Sequence, residues 1–175
     1  MSVTHKESGS KIVFVTVGTT QFDELVTQVL HPNTLEHQIL EDDGYTHLVL
    51  QIGRGVEPPI SISRRIQISC YHFKENISSD MEKASLIISH AGAGSCLEAL
   101  SVAKPLIVVV NQKLMGNHQL ELAEKLHSEG HVYMCYPETL KTTIVDFRTT
   151  KLQKFPRNNP VAFSGYLEKL MGFQK

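Results

Sequence analysis

Leu86-Ile87-Ile88-Ser89-His90-Ala91-Gly92-Ala93-Gly94-Ser95-Cys96-Leu97-Glu98-Ala99-Leu100 is the stretch that decides the fold of this chain. It reads as a buried strand, a glycine turn and the first turns of a helix. Gly92 and Gly94 permit a tight turn and a close approach of ligand to backbone. Ser95 is expected to cap the helix. Amide hydrogens at a helix start are unpaired and carry partial positive charge, so a phosphate is their natural guest. Glu98 follows one helical turn later, where a carboxylate can accept hydrogen bonds from sugar hydroxyls. Phosphate donors and a hydroxyl acceptor one turn apart suit a nucleotide.

The same alternation extends in both directions. Residues 11–17 form a continuous apolar, β-branched run, as expected of a strand buried on both faces of a parallel sheet. Gly18-Thr19-Thr20 turns the chain, and Phe22, Leu25, Val26 and Val29 then recur at helical spacing. A weaker helix is expected over 34–42 and a second strand over 45–52, closed by Gly53-Arg54-Gly55. Pro58-Pro59 makes 56–63 a loop. A third strand over 66–73 carries polar residues, which places it near a sheet edge. A short helix over 75–83 leads into the decisive stretch. Beyond it the pattern predicts a strand over 105–110, a helix over 116–128 with Leu120, Ala123, Leu126 and His127 on one side, a strand over 131–136 and a helix over 138–147. Strands alternating with helices at this spacing define an α/β three-layer, doubly wound parallel sheet of Rossmann-like type.

The 175 residues favour one such domain over 11–150. Residues 1–10 are polar and read as a disordered N-terminal segment, without the apolar core of a signal peptide. Residues 151–175 read as a linker and a closing amphipathic helix: 151–158 is polar, Asn159-Pro160 is a helix start, and Phe163, Tyr166, Leu167, Leu170 and Met171 make an apolar stripe. That stripe packs either on the parent domain or on a partner. With 17 basic and 18 acidic residues the charge is balanced, so nothing points to nucleic acid. Cys70, Cys96 and Cys135 show no metal-ligand spacing, and their odd number fits a reducing cytoplasmic compartment. No apolar run approaches the ~20 residues needed to span a bilayer directly.

In open parallel sheets, ligands bind beyond the carboxyl ends of the strands. Four clusters of unusual residues fall there: Gly18-Thr19-Thr20, Gly53-Arg54-Gly55, His90 to Ser95, and Leu114 to Gln119. Each has a plain alternative. Ser95-Cys96-Leu97-Glu98 also matches a capping box, with Glu98 bonding back to the helix start. His90 can be a strand-end packing residue, Asn117 a helix cap with His118 and Gln119 on its solvated first turn, and Arg54 a loop cation. Lys83, Lys104 and Lys113 read as solvated, and Cys96 as packing. Asp42-Asp43 resembles a helix ending more than a metal pair, and no carboxylate cluster is placed to hold Mg²⁺. Neither a Walker lysine nor a G-x-G-x-x-G turn after the first strand is present, and no cofactor is expected.

Ser89-His90-Ala91-Gly92-Ala93-Gly94-Ser95 with Glu98, followed by Asn117-His118-Gln119, resembles the C-terminal, donor-binding half of GT-B glycosyltransferases. Residues Phe14 to Asp23 narrow the resemblance to the cytosolic catalytic subunits of the eukaryotic transferases that add the second GlcNAc to dolichol-diphosphate-GlcNAc, the N-glycan precursor. The likeness runs from about Lys11 to the closing helix. It implies that Glu98 holds the uridine ribose, and that Gly92, Gly94, Ser95 and adjacent amides hold the diphosphate with help from His90. It implies that Gln119, with Asn117 or His118, contacts the GlcNAc of UDP-GlcNAc. Gly18 and Thr19 would line the cleft, and backbone near 71–73 would read the uracil.

A complete GT-B enzyme has two such domains. The resemblance therefore implies a heterodimer with a membrane-anchored, acceptor-binding subunit, which recruits this chain to the cytosolic face of the endoplasmic reticulum and presents the dolichol-linked acceptor. An inverting transfer needs a base for the acceptor hydroxyl. His118 is the candidate in this chain, and the partner is the alternative source. Two other functions fit the same residues: a non-catalytic nucleotide-sugar-binding regulator, and a stand-alone transferase acting on a soluble acceptor.

Overall fold

A computed structural model describes residues 10–31, 39–60, 66–113, 117–149 and 151–155. Six parallel strands form one sheet: β1 (Ile12–Thr16), β2 (His47–Gln51), β3 (Gln67–Tyr71), β4 (Leu86–His90), β5 (Leu106–Val109) and β6 (Tyr133–Cys135). Their order is β3-β2-β1-β4-β5-β6, so β3 lies at an edge as its polar composition predicts. The chain moves outward to one side through β1, β2 and β3, then returns to the middle and moves to the other side. The reversal falls between β1 and β4, paired from Val13↔Leu86 to Thr16↔Ser89. A crevice opens at such a reversal, because the connections leaving the two central strands run to opposite faces.

The helices are α1 (Asp23–Leu30), α2 (Ile39–Asp42), α3 (Ser78–Lys83), α4 (Ala93–Ser101), α5 (Asn117–Ser128) and α6 (Leu140–Phe147). A 3₁₀ turn at Pro137–Thr139 precedes α6, with Pro137 at its start, where a missing amide costs no helical hydrogen bond. Side chains alternate across the central strands, and so divide between two cores. Val13, Val15 and Val17 pack with Leu25, Val29, Leu40, Leu140 and Ile144 on one face. Phe14 and Ile87 pack with Met81, Cys96, Ala99, Leu122 and Leu126 on the other. This is the three-layer arrangement expected from the sequence. Every residue of β4 is buried, as a central strand covered by helices requires.

One local expectation needs correction. The buried face of α5 is Leu122, Ala123 and Leu126, while His127 is exposed. On a 3.6-residue period positions 122 and 127 lie equally far round the helix from the stripe of 123 and 126, so the period alone does not choose between them. Leu122 turns into the core, while the His127 Nδ1 lies 3.1 Å from the Val132 carbonyl. The helix expected over 34–42 is described only in its last turn; Asp43 just beyond it accepts from Arg148 Nε at 2.8 Å. The linker's first half lies against the domain: Gln153 N–H donates to the Gly130 carbonyl at 2.9 Å, and Phe155 is buried. The closing helix expected from residue 160 lies outside the described residues.

Candidate functional site

The cleft at the β1/β4 reversal has a volume of about 420 Å³. Its walls come from three loops and one helix. The β1–α1 loop contributes Gly18 and Thr19, the β3–α3 loop contributes residues 73–77, and the end of β4 with the first turns of α4 contributes His90, Gly92, Gly94, Ser95 and Glu98. Sequence-separated residues thus meet where the topology opens the sheet.

The start of α4 differs from its expected form. Gly92, not Ser95, occupies the N-cap position, and no side chain caps the helix. The first amide to enter the helical pattern is that of Cys96, which donates to the Gly92 carbonyl at 3.0 Å. The amides of Ala93, Gly94 and Ser95 precede it, so they are the orphan donors of a helix terminus. They point along the helix axis with its positive end, which suits an anion. Ser95 sits in the first turn with its hydroxyl beside Gly18. A Cβ at Gly94 would meet no protein atom within 4 Å, so a ligand can approach this backbone.

His90 explains two of the glycines. A Cβ on Gly18 would lie 2.7 Å from the His90 Cε1, and a Cβ on Gly92 would lie equally close to the same atom. The ring is therefore held between two backbones that have no side chains to displace it. Gly18 also adopts φ +61°, a conformation other residues rarely take, whereas Gly92 has an ordinary φ of −75°. Gly92 is thus required by the histidine beside it and not by the turn. The ring is 9% exposed, and its Nδ1 is buried with no hydrogen-bond partner among the described residues. Burial pushes the pKa of His90 down from its ordinary value; the Thr16 backbone pulls more weakly upward. The ring is neutral at pH 7 and keeps one N–H to donate.

Glu98 does not form the capping box. Its Oε1 accepts a hydrogen bond from the Ser78 hydroxyl at 2.5 Å, at the start of α3. Oε2 has no hydrogen bond among the described residues, so the carboxylate keeps acceptor capacity at the cleft. Cys96 is fully buried with its thiol pushed up to about 12 by burial, which makes it a packing residue as expected. Arg54 and Lys83 are exposed, and Lys113 pairs with Glu24 at 3.2 Å, with its side chain 80% exposed.

Gln51 is a cleft residue that the sequence reading missed. It is 3% exposed at the end of β2. Its Oε1 accepts from the Thr16 hydroxyl at 2.5 Å and from Gly18 N–H at 3.0 Å. Its Nε2 donates to the carbonyls of Gly18 and His72, both at 2.7 Å. One amide thereby ties the β1–α1 loop to the β3–α3 loop. The signal was present: a polar residue ends an otherwise apolar strand.

The Asn117-His118-Gln119 segment opens α5, beyond the carboxyl end of β5. Gln119 is exposed and does not line the cleft, and the side chains of Asn117 and His118 lie outside the described residues. Among the described residues there is no group of three or more His, Cys, Asp or Glu placed to hold a metal ion, and no helix long and apolar enough to cross a membrane.

A doubly wound parallel sheet, with a glycine-bounded helix start at its reversal and a carboxylate one turn later, defines a Rossmann-like α/β domain. The chain belongs to the glycosyltransferase family 28 C-terminal domain family, whose pattern matches residues 12–168. It is 55% identical over 126 residues to the mouse UDP-N-acetylglucosamine transferase subunit ALG13, a match covering 71% of this chain. The chain spans 11% of that relative's length. It is 31% identical over 192 residues to the Saccharomyces cerevisiae protein of the same name, covering 90% of this chain and 94% of the relative. The NMR solution structure of ALG13 superposes with a TM-score of 0.68 at 28% identity, covering 90% of this chain and 95% of that one.

Proposed function

We propose that this chain is the UDP-GlcNAc-binding, catalytic subunit of a two-subunit inverting transferase that adds the second GlcNAc to dolichol-diphosphate-GlcNAc. The observation that carries the reading is the switch-point cleft itself. Free amides at Ala93, Gly94 and Ser95 lie beside the neutral His90 ring, one helical turn from a Glu98 oxygen with open acceptor capacity. A nucleoside diphosphate matches that sequence of groups: diphosphate on the helix start, ribose on Glu98, base against the loop over 71–77. Gly18 and Thr19 would close the side toward β1. Asn117, His118 and Gln119 would reach the GlcNAc, with His118 or a partner residue as the base. The departing diphosphate gains charge during transfer, and amides already fixed in place stabilise it without reorganising.

The partner in this reading is a membrane-anchored, acceptor-binding subunit. Support comes from the names of the relatives, which are called transferase subunits, and from the yeast relative, whose length this chain nearly spans. The dolichol-linked acceptor, recruitment to the cytosolic face of the endoplasmic reticulum and the closing helix over 160–172 as part of the docking surface belong to the same proposal. Calorimetry with UDP-GlcNAc, UDP and ADP-glucose, combined with backbone NMR shift mapping, tests the donor site. UDP-GlcNAc and UDP should bind and shift Gly18, His90, Gly94, Ser95 and Glu98, while ADP-glucose should not. Binding elsewhere, or equal binding of ADP-glucose, would overturn the reading.

A further inference from the structure

Ser78 lies 20 positions before Glu98 and on a different helix, yet its hydroxyl donates to the Glu98 carboxylate. Both side chains are half-buried at the cleft wall. Ser78 is itself held in place. Its N–H donates to Asn76 Oδ1 at 2.7 Å, and Asn76 lines the cleft. The same first turn of α3 is tied to the end of β3 and its loop: Tyr71 O–H donates to Asp80 Oδ2 at 2.7 Å, and Lys74 Nζ contacts the same oxygen at 2.9 Å. The Ser78 hydroxyl therefore sits on a helix start anchored from two sides. A carboxylate on a flexible Glu side chain would otherwise sample several rotamers, each presenting its oxygens differently. Fixing Oε1 fixes the plane of the carboxylate, and with it the direction in which Oε2 can accept.

We propose that Ser78 is a positioning residue for ribose recognition: it holds Glu98 through Oε1 so that the rest of the carboxylate meets the ribose hydroxyls of a nucleoside diphosphate. This rests on the nucleotide reading of the cleft. Ser78 touches no ligand in this account and acts through Glu98. Its contribution is confined to the part of affinity that depends on ribose hydroxyls. A general staple between α3 and α4 would instead affect every ligand of the cleft equally.

The test uses the full chain and its Ser78→Ala and Ser78→Thr variants, with calorimetric titration by UDP and by 2′,3′-dideoxy-UDP, which lacks both hydroxyls. Wild type should prefer UDP. Ser78→Ala should bind UDP roughly 5–10-fold more weakly, the scale of one typical hydrogen bond lost. It should bind the dideoxy analogue within about 2-fold of wild type, so that the preference collapses. Ser78→Thr keeps the hydroxyl and should restore the preference. Equal weakening for both ligands, or unchanged UDP affinity in Ser78→Ala, would overturn the positioning role while leaving the nucleotide site standing. A wild-type chain that binds UDP without preferring it over the dideoxy analogue would likewise overturn it. Failure of wild type to bind either ligand would overturn the nucleotide reading and this proposal together.

Discussion

Glu98 shows how one residue carries two readings until its neighbours are known. The spacing from Ser95 fits a capping box, and the glycines before it fit a ligand site. Gly92 as N-cap and Ser78 as partner remove the first reading. Glu98→Ala should then leave α4 folded by circular dichroism while weakening UDP binding by about 1–3 kcal/mol in calorimetry. Unchanged UDP affinity would return Glu98 to a structural role. His90 yields a pH prediction. Its pKa lies below the ordinary value in the folded chain, so the unfolded chain takes up the proton first as pH falls. Its contribution is intact above about pH 6.5 and lost progressively below it. Urea denaturation between pH 7.5 and 5 should show wild type losing more stability than His90→Gln; identical slopes would contradict the buried, neutral ring. Gly92→Ala places a methyl against that ring and should abolish UDP binding in the same titration. The glycine–histidine clamp was not readable from sequence, because Gly18 and His90 are 72 positions apart and meet only through the β1–β4 pairing.

At the scale of elements, most of the architecture was legible. Runs such as Ile12 to Thr16 and Leu106 to Val109 are apolar on both faces, and only a doubly covered parallel strand asks for that. Element ends were less legible. The α4 start moved from Ser95 to Gly92 because the glycine supplies an extended N-cap without any side-chain signal. The α5 face was misread because positions 122 and 127 flank the 123/126 stripe equally, and the choice between them is made by packing and not by period. What fixes the loops relative to one another is Gln51, and its effect should be large. Gln51→Leu takes one partner each from the Thr16 hydroxyl, both Gly18 backbone groups and the His72 carbonyl. Gly18 N–H keeps the Thr16 hydroxyl and the His72 carbonyl keeps Gly53 N–H, so the Gly18 carbonyl is the group most exposed to the loss. Unsatisfied buried polar groups are costly, so the variant should lose about 2–4 kcal/mol in urea denaturation and bind UDP weakly. A loss under about 0.5 kcal/mol would show that the two loops hold without it.

At the scale of the whole molecule, the proposed function makes this chain half of a catalytic site. In that reading one α/β domain supplies a donor cleft in which uncharged donors, the α4 amides and the neutral His90 ring, face the diphosphate. UDP binding should therefore persist in excess EDTA with an unchanged dissociation constant; binding lost on chelation and restored by Mg²⁺ or Mn²⁺ would contradict this. The acceptor side belongs to another chain in this account, and the segment over 160–172, expected from sequence to be helical, is its proposed point of attachment. Removing residues 160–175 should abolish co-purification with the membrane subunit while circular dichroism shows the remaining domain folded. A folded truncation that still co-purifies would move the docking surface elsewhere. The proposed donor side is legible in sequence because the motif from Leu86 to Leu100 is local, whereas the proposed base, on His118 or on a partner, has no local signature. The central claim is tested most directly by transfer of radiolabelled GlcNAc from UDP-GlcNAc to a dolichol-diphosphate-GlcNAc acceptor, comparing this chain alone, the membrane subunit alone and the two together. The account predicts labelled lipid product only from the pair. Efficient transfer by this chain alone, or none from a pair that binds UDP-GlcNAc, would contradict it.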